Sequence, residues 1–299
     1  MIMRTVLLAI LVMAALVFIA AWRRAVKMQQ RDGQWPSPVQ LAIGFVTDFL
    51  DTLGIGSFAT TTAAYKLFKV VSDERLVGTM IVGHSVPVVV QALIFVAAVQ
   101  VDPKVLALLI AVSVIGGWLG AGISSKLPRR AIQITISIGL IAAALFMMMS
   151  QLGLFPPGGT SLTLTPGKLM FALAVNFILG VLLMLGIGNY APSLILFSLL
   201  GMDPRAAFPV MMGSGALMAM AGGLRFIQAA RFDNRAALGL TLGGIPGVLV
   251  AGLVVKSLPL SVLRWMVVVV VIYAATMMLM SATKQESAAS RILNVEKPG

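Results

Sequence analysis

Asp48 and Asp51 stand three residues apart in an otherwise apolar run, and His84, the one histidine of the chain, lies in another. Residues three apart share a helical face. The two carboxyls and the imidazole are therefore the groups that could carry a proton through apolar surroundings, where ionisable side chains are rare and mostly functional. A lone histidine in such a place also serves as a structural donor, and that reading stays open.

A second set of residues could hold an anion. Leu53-Gly54-Ile55-Gly56 is followed by Ser57, Thr60, Thr61 and Thr62, and the same tetrapeptide returns as Leu185-Gly186-Ile187-Gly188 before Asn189, Tyr190, Pro192 and Ser193. A glycine break followed by a fresh helix exposes backbone N–H groups and the positive end of the helix dipole, both of which favour negative charge. The candidate substrate site is thus Gly54, Gly56, Ser57, Thr60 and Thr61 in the first copy and Gly186, Gly188, Asn189, Tyr190 and Ser193 in the second. Capping of a broken helix by Ser, Thr and Asn is the plain structural alternative.

The elements that position these residues are membrane helices. Hydrophobic residues make up 59% of the chain and charged ones 11%, with a mean hydropathy of +1.01. Such a chain exceeds what a water-soluble core can hide and must face lipid. The net charge of +12 does not point to nucleic acid, because the basic residues sit in short loops between apolar segments. With no cysteine and one histidine, a disulfide framework, a thiol nucleophile and a His-rich metal site are excluded. No cofactor is implied. No phosphate-binding loop occurs, and neither carboxylate has a Gly-x-Gly-Asp partner, so ATP-driven transport and intramembrane catalysis find no support.

The duplication extends beyond the breaks. Asp73-Glu74-Arg75 is echoed by Asp203-Pro204-Arg205, and Gly117, Ala121 and Gly122 by Gly247, Ala251 and Gly252. Apolar runs and Gly/Pro breaks give segments at 3–22, 39–53, 58–71, 77–99, 105–124, 131–150, 168–185, 189–201, 206–228, 236–255 and 262–281. Each repeat holds an odd number of segments, so the second half is inverted relative to the first. Threaded with the N-terminus outside, the cytoplasmic side receives Arg23, Arg24, Lys27, Arg31, Lys66, Lys69, Arg75, Lys126, Arg129, Arg130, Arg225, Arg231, Arg235 and the tail's Lys284, Arg291 and Lys297. Only Arg4, Lys104, Lys168, Arg205, Lys256 and Arg264 stay outside. The runs bearing the breaks are short: Gln40 to Leu53 is about 21 Å of helix against a hydrocarbon core of about 30 Å. Each therefore reads as half of a re-entrant pair, or as a tilted span, and backbone broken at that depth must line a protein-enclosed cavity.

The twin breaks, each followed by a short helix, an Asp-x-Arg loop and a Gly-rich helix, resemble the sulfite exporter TauE/SafE permeases over residues 39–281. The resemblance implies a membrane permease for sulfite, organosulfonates and related small anions. One departure is local: Gly56-Ser57-Phe58-Ala59-Thr60 and Gly188-Asn189-Tyr190-Ala191-Pro192 replace the further glycines usual after the break.

The fold expected is an all-α polytopic membrane protein with two inverted-topology repeats, broken or re-entrant helix pairs and an extra N-terminal anchor. Its parts are an anchor helix and basic loop (1–37), the first repeat (38–150), an external linker (151–167), the second repeat (168–281) and a cytoplasmic tail (282–299). The function expected is secondary transport of a small anion, possible coupling to a proton or ion included, at a multi-pass site in the cell membrane. A channel or a non-transporting scaffold is the alternative. Partners are the anion and the bilayer, not nucleic acid, and a homo-oligomer is left open.

Overall fold

The computed structural model describes residues 2–28 and 35–254, with helical positions 265, 268, 269, 272, 275, 276, 279 and 280 beyond them. The tail expected at 282–299 lies outside the described residues. Among them the regular elements are helical: α1 (Ile2–Met28), α2 (Pro38–Thr52), α3 (Ser57–Leu67), α4 (Asp73–Ala98), α5 (Pro103–Ser124), α6 (Arg129–Gln151), α7 (Pro166–Met184), α8 (Tyr190–Leu199), α9 (Pro204–Gln228) and α10 (Asn234–Leu249), which continues into a π-helical turn, Val250–Val254.

Helix starts follow local chemistry. Ser37 and Gln40 form a reciprocal capping box at α2, with Pro38 in the first turn. Asp102, Asp203 and Asp233 accept amide hydrogens at the starts of α5, α9 and α10. The breaks are glycine's doing: Gly54, Gly56 and Gly186 have φ of +87°, +93° and +92°, a region that side-chain-bearing residues avoid.

Seven described helices are long and apolar enough to cross a membrane, which makes this a multi-pass membrane protein. One expectation changes. Pro166 starts α7 earlier than the apolar run suggested, and at 19 residues it is long enough to cross alone. The 15-residue α2 is about 22 Å long and is not.

The packing exchanges when the halves are exchanged, and so is compatible with an inverted repeat. Helix α2 lies along α10 as α7 lies along α5; α4 crosses α10 as α9 crosses α5; α4 and α9 meet each other at the centre. Glycines make the close crossings possible. A methyl group on Gly243 would overlap the Leu41 carbonyl oxygen, and one on Gly116 that of Phe177. In the α5–α7 crossing, buried Asn176 donates to the Leu109 carbonyl at 2.9 Å and to Ser113 Oγ at 2.6 Å.

Helix α1 is more than an anchor. Its stripe Leu11, Ala15, Phe18, Trp22 and Val26 is buried against α9 and α4, and Trp22 Nε1 donates to Asn234 Oδ1 at 3.0 Å. Val6, Ile10, Met13 and Val17 stay exposed on the other side, as a lipid-facing surface should.

The chain between α6 and α7 is stitched down. Gly159 N–H donates to the Met202 carbonyl, Asp203 N–H to that of Ser161 and Asp102 N–H to that of Leu162. At the other end of the helices Asp73 is a hub, accepting from Lys66 Nζ at 2.6 Å, Gln133 Nε2 at 2.7 Å and Arg129 Nη2 at 3.1 Å. Asp73 thus bonds across to α3 and α6 rather than to Arg75 in its own Asp-x-Arg motif. Residues two apart on a helix point to different sides, and Asp203 likewise receives the Arg205 backbone amide rather than its side chain.

The crossings give the first prediction. Gly243→Val and Gly116→Val should each lower the stability of the purified protein by about 1–3 kcal/mol. Gly167→Val, where the space is open, should stay within about 0.5 kcal/mol. Thermal unfolding in detergent measures both.

Candidate functional site

The two breaks meet. Gly54, Gly56 and Ser57 from the first half and Gly186, Gly188 and Asn189 from the second line one cavity of about 160 Å³. By the same measure one water needs on the order of 10–15 Å³, so a small polyatomic anion fits with some of its hydration. The tips almost touch: a Cβ on Gly54 would lie 2.6 Å from the Tyr190 hydroxyl, and one on Gly188 3.8 Å from Phe58 Cβ. Helix α6 walls the cavity with Gly139, Ala143, Phe146 and Ser150, and Phe155 lines it from the segment beyond. On α4 the lining begins only at Ile81. The space thus runs from the breaks toward the face carrying residues 152–165 and away from the Asp73 hub.

The sequence candidates divide by position. Gly54, Gly56, Ser57, Gly186, Gly188, Asn189 and Tyr190 line the cavity, as do Asp51 and His84. Thr60, Thr61 and Ser193 are buried behind it. Thr60 turns its hydroxyl back to the Gly56 and Ser57 carbonyls at 3.0 and 2.9 Å, and Ser193 Oγ has no partner. Asp48 is also behind the wall, where both of its oxygens sit 2.9 and 3.0 Å from His84 Nδ1.

Two polar chains result. In the first, Thr61 Oγ1 lies 2.9 Å from His84 Nε2, so Asp48, His84 and Thr61 form one buried line. With Nδ1–H directed at Asp48, Nε2 accepts from the Thr61 hydroxyl. In the second, Asp51 Oδ1 accepts the Ser57 amide at 2.7 Å and Asp51 Oδ2 accepts from Gln91 Nε2 at 3.0 Å. Gln91 Nε2 also reaches Thr52 Oγ1 at 2.9 Å. Asp51 therefore caps α3 from across the glycine turn.

The frame around these chains is adapted to them. Pro87 has no N–H for the Gly83 carbonyl one turn back, and Thr241 of α10 supplies the missing donor at 2.7 Å. Gly244 lies flat against the Asp48 carboxylate and Pro87, where any Cβ would collide. Gln91 lies two helical turns beyond His84, the signal by which its place beside the carboxylates is recognisable. The α6 wall also carries a signal, small or polar Gly139, Ala143 and Ser150 on one face, but it lies outside the duplicated breaks that mark the rest of the site.

A second prediction follows. His84→Leu would leave Asp48 buried without its partner and should lower stability by about 3–5 kcal/mol. The double variant Asp48→Asn with His84→Gln keeps a neutral contact and should recover most of that loss in the same unfolding measurement.

Comparison with known proteins adds one match. The family model described as Sulfite exporter TauE/SafE matches residues 1–147 and 168–297. The match includes the N-terminal helix and most of the tail, which the sequence resemblance had left out, and it omits the stretch between the halves. No curated protein and no solved structure matches the chain.

Proposed function

The chain belongs to the sulfite exporter TauE/SafE family, and from that premise we propose that it is a secondary permease carrying sulfite or an organosulfonate-type anion across the cell membrane by alternating access. One observation carries the reading at this chain's own residues: two glycine breaks, from equivalent places in two halves, converge on a single cavity. Broken helices at the interface of repeats are where transporters hold their cargo.

The anion sits between Gly54–Ser57 and Gly186–Asn189. At the first break the donor end of α3 is already used by Asp51. At the second, Asn189 makes no side-chain cap to α8, and Asn189, Tyr190 and Ala191 at that helix start line the cavity. The cavity lining includes no Lys or Arg among the described residues. Binding then rests on backbone amides and the Asn189 side chain rather than on fixed cations.

The basic residues orient the molecule with its N-terminus outside and its C-terminus in the cytoplasm. In that orientation the cavity faces outward and the Asp73 hub closes the cytoplasmic side. The lining that stops at Ile81 on α4 favours a carrier over a continuous channel, which needs a path through the hub.

Flux in reconstituted vesicles tests this. Sulfite or methanesulfonate should cross saturably, with sulfate and acetate as comparison anions. Gly188→Val should reduce that flux roughly tenfold or more, because its side chain enters open cavity space near Phe58 at a backbone conformation that tolerates it. Folded protein that carries neither anion, or a Gly188→Val variant that carries them normally, would overturn the proposal.

A further inference from the structure

The cavity presents an anion with a paradox. Its ionisable lining is Asp51, His84 and Tyr190, with Asp48 directly behind His84, and Asp51 already occupies the amide position at α3 that an incoming anion would seek. The groups facing Asp51 are Asp48 on its own helix, His84 from α4 and Tyr190 from α8, whose hydroxyl approaches the intervening Gly54. Tyr65 of α3 is turned away, donating to the Ala236 carbonyl at 3.1 Å. A second negative charge beside an ionised Asp51 in a narrow, protein-walled space is strongly disfavoured.

Gln91 carries an independent sign of how this is resolved. It is fully buried; its Nε2 donates to Asp51, and its Oε1 has no partner. A buried unpartnered amide oxygen calls for an explanation. Reversal of the amide turns Oε1 toward Asp51, where it accepts from a carboxylic acid, and toward Thr52 Oγ1, whose hydroxyl turns from the Asp48 carbonyl to donate to the same oxygen. Gln91 thus has a hydrogen bond for Asp51 in either protonation state.

We propose that the anion is bound together with a proton that neutralises Asp51, with Gln91 as the positioning residue that accommodates both states, so that anion and proton cross the membrane in the same direction. This rests on the permease reading above and names the coupling ion of that same cavity. The proton comes from the solvent on the side to which the cavity is open, resides on Asp51 while the anion is held, and leaves with the anion on the other side. The Asp48–His84–Thr61 line holds His84 in place and is not the coupling group.

Calorimetric titration of the purified protein tests this, with sulfite and methanesulfonate as probes in two buffers of different ionisation enthalpy. Methanesulfonate is the anion of a strong acid, so any proton it draws in belongs to the protein. Wild-type protein should take up about one proton per anion, and its affinity should fall about tenfold per pH unit once Asp51 is ionised in the empty state. Asp51→Asn keeps an acceptor for the Ser57 amide and should bind with no proton uptake and an affinity that no longer falls with pH. Gln91→Met should shift the pH at which wild-type affinity begins to fall. Anion binding to wild type without proton uptake would overturn the proposal, as would uptake that persists in Asp51→Asn and vanishes in His84→Gln. Folded wild type that binds neither probe would overturn the permease reading itself.

Discussion

Backbone polarity in lipid is the constraint on which the rest of the structure depends. A helix that stops inside the hydrocarbon leaves N–H and C=O groups that no lipid can satisfy. Here Gly54 and Gly56 stop one helix and Gly186 another, and the exposed ends are enclosed by each other, by α6 and by α4. The close crossings of α2 on α10 and α5 on α7 bring the ends together, and they depend on glycines pressed against the carbonyls of their neighbours. The same rule acts on α4, where Thr241 satisfies the carbonyl freed by Pro87.

The scaffold is shared by the halves, but the chemistry is not. The second-half positions equivalent to Asp48, Asp51, Thr61 and His84 are Gly180, Leu183, Ser193 and Ser214. Ser193 and Ser214 are buried with unpartnered hydroxyls, where Thr61 and His84 bond each other. One half therefore holds the carboxyls and the imidazole of the site, and the other contributes a helix start without a side-chain cap. A carrier that binds an anion and a proton at one place benefits from this division, because the charged group and the donor end do not compete within one tip.

Much of this was legible in the chain. Apolar runs interrupted by Gly and Pro place nearly every helix, since in lipid the breaks must be explicit. The twin Leu-Gly-Ile-Gly motifs locate both walls of the cavity. Tertiary partners were less legible. Asp48 and Asp51 share a helical face, yet one turns to His84 and the other to Ser57 and Gln91, a choice made by neighbouring helices. Thr60 and Thr61 read as cargo donors by type, but helix geometry turns them to carbonyls and to His84. The start of α7 lies two residues before the segment read at 168–185, because Pro166-Gly167 reads as a break although proline is well suited to a first helical turn.

The central claim is that both breaks open into one anion-holding space. The natural absence of cysteine allows a direct measurement with Ser57→Cys and Ala191→Cys, two small cavity-lining substitutions made singly. Labelling by a charged, membrane-impermeant thiol reagent is followed from each side of sealed vesicles, with and without methanesulfonate. The account predicts that both cysteines react from the same side and that the anion slows both. Reaction from opposite sides, or an anion that protects neither, would contradict it.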